Sequence, residues 1–258
     1  MDIKADNEEI AACCSNELEL DNHIGPSRSF YWASNNFAGK CLIQSFLILR
    51  KADIYYPFTV KGIKIHSTVN LFSAISQVQN LRLSFEIFEI LSKRYFEFGG
   101  LPPCSFINLK SLQIDTSWSK SYIPGIACLF KSSPVVHTLG IEIKSYCAPD
   151  NKWNNNLLDN GHCTKEQFWD AEAQTLSPFL CHLKVVKIRV FQKMGHEGVI
   201  SIASFLLEHG KNLQEMIIIT PKYYKASDVA AWKDKIGIIE GLSRGSTDVK
   251  TSYLTADM

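Results

Sequence analysis

Three groups of residues have the types that do chemistry. Gly241-Leu242-Ser243-Arg244-Gly245 spells G-x-S-x-G, the sharp turn that lifts a serine hydroxyl for nucleophilic attack. That turn needs a strand before the serine and a helix after it. Here the order is reversed: Val229, Trp232, Ile236 and Ile239 form a helical stripe behind a Ser227 N-cap, and a strand-like stretch follows. A hydrolase built on Ser243 is therefore the different-class alternative and not the main reading. His196-Glu197 begins like the zinc-binding H-E-x-x-H, but position 200 is Ile200, so the second ligand is missing. Cys147, His162, Cys163, Cys181 and His182 are the right types for zinc, yet none has C-x₂₋₄-C spacing, and adjacent ligands such as His162-Cys163 diverge on a regular backbone. No G-x-x-x-x-G-K-[ST] phosphate loop is present. The sequence predicts no catalytic residue, no metal and no cofactor.

The remaining polar residues gain meaning from the elements that hold them. A short apolar signature, Φ-x-x-Φ-x-Φ, recurs five times. It reads Val78, Leu81, Leu83; Leu109, Leu112, Ile114; Val136, Leu139, Ile141; Leu183, Val186, Ile188; and Leu213, Met216, Ile218. Its middle positions are 31, 27, 47 and 30 residues apart, three of them near the repeat lengths of solenoids and the fourth lengthened by an insertion. Alternation within each signature predicts a strand with one buried face. Helical spacing lies between the signatures: Leu71, Phe72, Ile75 and Val78; Ile126, Leu129 and Phe130 behind Pro124; Val199, Ile202, Ala203 and Leu206 ahead of Gly210. Thr164 and Gln167 have capping-box spacing before Phe168, Ala171 and Thr175. Helices on both faces of a sheet would demand continuous apolar strands. The alternate positions here are instead polar, so the expected fold is α/β: a leucine-rich-repeat-like solenoid, or horseshoe, of about six β-α units with parallel strands on one face and helices on the other. Ile217 and Ile219 break the rule by pointing outward. The segment around Thr247 to Leu254 is expected to lie against, or extend, that end of the sheet. Alternation places Arg82, Gln113, Glu142, Lys187 and Arg189 on the open face, with Asp115 interleaved, as a protein-binding surface.

Composition narrows the classes further. The 258 residues carry 27 basic and 26 acidic side chains, a formal charge of +1, which argues against a wide nucleic-acid-binding surface. The longest apolar stretch, Cys41 to Leu49, is interrupted by Gln44 and Ser45 and is far below the roughly 20 residues that span a bilayer. The acidic start, with Asp2, Asp6, Glu8 and Glu9, lacks a signal-peptide pattern, so an intracellular site, cytoplasm or nucleus, is expected and the eight cysteines are read as thiols. Residues 1–40 are expected to be a poorly ordered acidic and polar segment, 41–163 to carry the repeats with an Asn-rich insertion at 144–163, and 164–258 to form a C-terminal region.

Several stretches together resemble the C-terminal half of plant F-box proteins that carry leucine-rich repeats followed by an FBD domain. They are Phe168-Trp169-Asp170 to Ser177-Pro178-Phe179, then Leu183 to Ile188, Phe205-Leu206-Leu207-Glu208-His209-Gly210, and Leu213 to Ile218. Leu101-Pro102-Pro103 to Leu112 and Lys131-Ser132-Ser133-Pro134 resemble the preceding repeats, and Arg244-Gly245-Ser246 resembles the family's ending; coverage is about residues 58 to 254. The resemblance implies a substrate-recognition part of a Skp–cullin–F-box ubiquitin ligase, with repeats that hold a protein target. An F-box starts near a Leu-Pro pair, and residues 1–57 contain none. A Skp-type adaptor is thus expected as a partner only with an F-box upstream. An F-box-less competitor that binds the same targets without ubiquitination is the alternative within this reading.

Overall fold

The computed structural model describes residues 5–6, 9–13, 29–33, 49–55, 65–98, 104–116, 122–144, 164–191, 196–221, 234, 236–242, 245–246 and 249–256. In chain order the elements are β1 (Ala5–Asp6), β2 (Glu9–Cys13), β3 (Ser29–Ala33), β4 (Lys51–Tyr55), α1 (Ile65–Ala74), β5 (Asn80–Leu83), α2 (Glu86–Glu97), β6 (Ser111–Thr116), α3 (Ile123–Ser132) and β7 (Thr138–Ile143). They continue with α4 (Lys165–Glu172), α5 (Ser177–His182), β8 (Val185–Val190), α6 (His196–His209), β9 (Glu215–Pro221) and β10 (Lys250–Ala256). All strands join one sheet in sequence order, parallel from β2 to β10, with β1 antiparallel to β2. Strands and helices alternate from β4 to β9, as the signature predicts. The ladder also takes in residues 5–6, 9–13 and 29–33, where β1, β2 and β3 pair, and at the other end β10 adds beside β9. The expected extension by the C-terminal segment is thus an eighth parallel pairing, Ile217 beside Ser252 and Ile219 beside Leu254.

The repeat is written in backbone hydrogen bonds as well as in side chains. The carbonyls of Arg50, Gln79, Lys110, His137 and Lys184 each accept two N–H groups from the next repeat, at 2.8–3.1 Å. One carbonyl per repeat therefore starts the next strand in step. Inward positions Leu81, Leu112, Leu139, Val186 and Met216 are at most 2% exposed and form one core with the helices, running from Leu49 to Val249. In β5 to β7 the branched apolar residues face only one way, which makes the sheet one-sided there, and the helices cover that side.

Local signals place the helices. Thr164 Oγ1 accepts from the Gln167 N–H at 3.2 Å while the Thr164 N–H donates to Gln167 Oε1 at 2.9 Å, the reciprocal cap that starts α4. Pro124 occupies the first turn of α3, and Gly210 directly follows α6. Residues 236–240 are helical, while Ser227, Val229 and Trp232 lie outside the described residues. The sequence reading did not single out α2, although Ile87, Phe88 and Leu91 are fully buried on its inner face. The stripe is legible: Ile87, Phe88, Leu91 and Tyr95 follow helical spacing, and Glu89, Lys93 and Glu97 fall off it. The Phe168-Trp169 pair and Phe179, Phe205 turn out to be core: Phe130 stacks on Phe179 with centroids 4.3 Å apart, and Trp169 stacks on Phe205 at 4.9 Å. These contacts tie α3 to α5 and α4 to α6, and Phe130 stacks on Trp169 at 6.1 Å to join the two pairs.

Candidate functional site

The open face is a grid of side chains. One row across the sheet reads Asp53, Arg82, Gln113, Gly140, Lys187, Ile217 and Ser252; the next reads Asp115, Glu142, Arg189, Ile219 and Leu254. All five residues assigned to this face by alternation, Arg82, Gln113, Glu142, Lys187 and Arg189, fall on these two rows. They divide into two neighbourhoods.

Over β5 to β7 the charges close on one another. Arg82 Nη2 lies 3.2 Å from Asp115 Oδ2 and 3.2 Å from Glu142 Oε2. Gln113 Nε2 donates to Glu142 Oε1 at 3.0 Å, and Lys144 Nζ sits 2.6 Å from Asp115 Oδ2 and 3.2 Å from Glu142 Oε2. Two carboxylates thus meet two cations and an amide. Burial works against the Arg82 charge, and the neighbouring carboxylates of Asp115 and Glu142 outweigh it, raising its pKa. The Asp115 side chain is 4% exposed and that of Arg82 is 42% exposed, so the acid is the buried centre and the arginine its lid. Asp53, Tyr55, Arg82, Ser84, Asp115 and Lys144 line a hollow of about 200 Å³. That is below the roughly 300–1,000 Å³ of a small-molecule site, so the hollow suits a side chain and not a cofactor.

Over β8 to β10 the charges stay open. Lys187 and Arg189 are exposed. Arg189 and Lys144 flank the Phe191 ring, with their cationic atoms 6.0 and 5.5 Å from its centre. Beside them lie half-buried Ile217 and Ile219, and Leu254 at 51% exposure. Sequence reasoning found the rows but missed Phe191 as a member, and missed that Asp115 is buried. The alternation that marks 187 and 189 as outward marks 191 too, had it been carried one step past the signature.

The residues of the alternative chemistries are described only in part. Ser243, Cys147, His162 and Cys163 lie outside the described residues. The second glycine of the G-x-S-x-G run has a structural task, because the Gly245 N–H donates to the Leu207 carbonyl at 2.8 Å and caps the end of α6. His182 Nδ1 lies 2.8 Å from the Pro178 carbonyl, one turn back in α5, and Cys181 Sγ lies 3.8 Å from Ser177 Oγ. Among the described residues, no group of three or more His, Cys, Asp or Glu could hold a metal ion, and no helix is long and apolar enough to cross a membrane. Cys104, Cys128 and Cys181 are free thiols. Burial pushes Cys104 up to about 12 and Cys128 up to about 11, far from the thiolate a nucleophile needs.

A second buried cluster lies on the helical side. Glu172 accepts from Tyr95 and, at 2.6 Å, from Thr175 Oγ1, and Lys131 Nζ is 2.7 Å from Glu172 Oε2. Burial pushes the Glu172 carboxyl up, but the bonds from Lys131, Thr175 and Tyr95 together outweigh it and hold it below its ordinary value. The cluster joins α2, α3 and α4. It is a clamp between repeats.

The chain is 30% identical over 196 residues to an F-box/FBD/LRR-repeat protein of Arabidopsis thaliana, a match that takes in 74% of this chain and 38% of the relative. The chain is thus a partial homologue of that protein. No family model matches it. No solved structure matches it either.

Proposed function

We propose that this chain is a non-catalytic target-recognition module of a Skp–cullin–F-box ubiquitin ligase, acting in the cytoplasm or nucleus, with Arg82, Gln113, Glu142, Lys187 and Arg189 on its protein-binding face. The observation that carries the reading is the shared sequence with an F-box/FBD/LRR-repeat protein across 74% of the chain. The one-sided parallel sheet supports it, since an extended solvated sheet face suits a protein ligand.

The test is co-precipitation of the protein, tagged at its C-terminus and expressed from its own locus, with the Skp-type adaptor. Recovery of the adaptor, together with faster turnover of a protein bound to the open face, is the expected result. Recovery of bound proteins that accumulate, with no adaptor present, would establish the competitor instead. A hydrolase requires turnover that Ser243→Ala abolishes, and any such activity would overturn the non-catalytic reading.

A further inference from the structure

We propose that the β8–β10 end of the open face grips an acidic peptide segment, with an Asp or Glu lying within about three residues of a Leu-like side chain. The proposal rests on the reading of this face as target-binding and names the chemistry of the target.

The argument begins with which charges are already spent. Asp53 pairs with Lys51 at 2.7 Å, and Asp115 and Glu142 are shared between Arg82 and Lys144. The carboxylates of β4, β6 and β7 on this face are engaged. Lys187 and Arg189 are not: among the described residues neither has an ion-pair partner, although both stand on the strand beside β7. The register explains why. Lys187 sits opposite Gly140 on one side and Ile217 on the other, and Arg189 sits between Glu142 and Ile219. Glu142 is occupied by Arg82, Gln113 and Lys144. The next outward carboxylate, Glu215, lies one row below, opposite Val185 and Lys250.

Gly140 adds a notch. A Cβ built there would meet Gln113 Cγ at 3.5 Å, an ordinary contact, so neighbouring atoms leave room for a side chain. Its absence leaves the Lys187 ammonium an open flank toward β7. On the opposite flank Ile217, Ile219 and Leu254 expose apolar surface that no neighbour in the sheet covers further. Two uncompensated cations beside a rimmed apolar strip mark a binding patch of mixed character. Lys187 and Arg189 are about 6.6 Å apart along their strand, and the apolar strip is about 5–10 Å away across the sheet. A peptide satisfies both when a carboxylate and an apolar side chain fall one to three residues apart.

The experiment is fluorescence anisotropy of the purified full chain with labelled short peptides carrying two Glu and two Leu in a Gly/Ser frame. Comparison peptides replace Glu by Gln, Glu by Lys, or the acidic residues by phosphoserine; a single-stranded oligonucleotide is the last probe. The Glu–Leu peptide should bind, and the Gln–Leu peptide should bind at least about tenfold more weakly. K187E/R189E should lose about tenfold for the Glu–Leu peptide and gain affinity for the Lys–Leu peptide. Gly140→Glu, which places a carboxylate beside Lys187, should weaken the acidic peptide as well. Lys211→Glu, on an exposed turn away from the face, should change nothing. If K187E/R189E fails to fold by circular dichroism, K187Q/R189Q takes its place. Equal binding of the Gln–Leu peptide, no binding of the Glu–Leu peptide, unchanged binding in the double variants, or equal loss in Lys211→Glu would each overturn the proposal. Preference for the phosphoserine peptide or the oligonucleotide would do so too. Adaptor recovery is a separate readout: acidic-peptide binding with no adaptor leaves this surface chemistry standing while the ligase reading falls, and the converse result spares only the ligase.

Discussion

Asp115 is a carboxylate on the solvated side of a sheet, yet its side chain is only 4% exposed, because Arg82 and Lys144 reach over it from neighbouring repeats. Removing it leaves two cations to share the one carboxylate of Glu142. Breaking a fully buried pair costs about 3–5 kcal/mol; here Arg82 can turn to water, so Asp115→Asn should cost about 1–2 kcal/mol in urea unfolding. An unchanged midpoint would show that the cluster is an ornament of the surface. Glu172 gives a prediction in pH. Its folded pKa lies below the unfolded value of about 4.3, so its contribution is complete above that pH and is lost as pH falls through the folded value. The urea midpoint should drop on acidification below about pH 4.3, and part of that drop should vanish in Glu172→Gln. Neither role was legible in the sequence. Asp115 and Glu142 are 33 and 60 positions from Arg82 along the chain, and only the register brings both within 3.3 Å of it.

The elements were easier to read, and the reason is periodicity. Each strand signature states its own buried face, so Leu81, Leu112, Leu139, Val186 and Met216 could be aligned before any coordinates. Thr164 and Gln167 announced the start of α4 by a spacing of three. The stripe of α2 states its buried face but not its neighbour, which is fixed by close approach: Gly125 of α3 donates its N–H to Ser92 Oγ at 2.8 Å. A Cβ on Gly125 would lie 2.2 Å from the Phe88 carbonyl oxygen. Another tight glycine explains a motif that sequence reasoning could only set aside. At Gly245 a Cβ would fall 2.4 Å from the Glu208 carbonyl oxygen, where the chain crosses the end of α6. Gly245→Ala should therefore cost about 1–3 kcal/mol, read as a lower thermal midpoint, while Ser243→Ala leaves the midpoint nearly unchanged. Equal effects would mean that the run matters for some reason other than the cap.

At the scale of the molecule, stability should follow position in the stack. Each repeat leans on its neighbours, so the strands with two well-packed partners are held most firmly. Hydrogen exchange monitored by mass spectrometry should find β6, β7 and β8 slowest, with protection falling toward β4 on one side and β10 on the other. Uniform protection from β4 to β10 would instead indicate a single cooperative unit. The lengthened spacing between the third and fourth signatures makes no break in this order: β8 meets β7 with Thr138 opposite Val185, the same step as every other pair. That in-step ladder also has a consequence for heredity. Outward positions sit on a regular lattice whose cells are independent of the helices behind, and an exposed exchange there usually alters stability by no more than about 0.5 kcal/mol. A lineage built on such a frame can revise what it grips one codon at a time, without renegotiating how it folds.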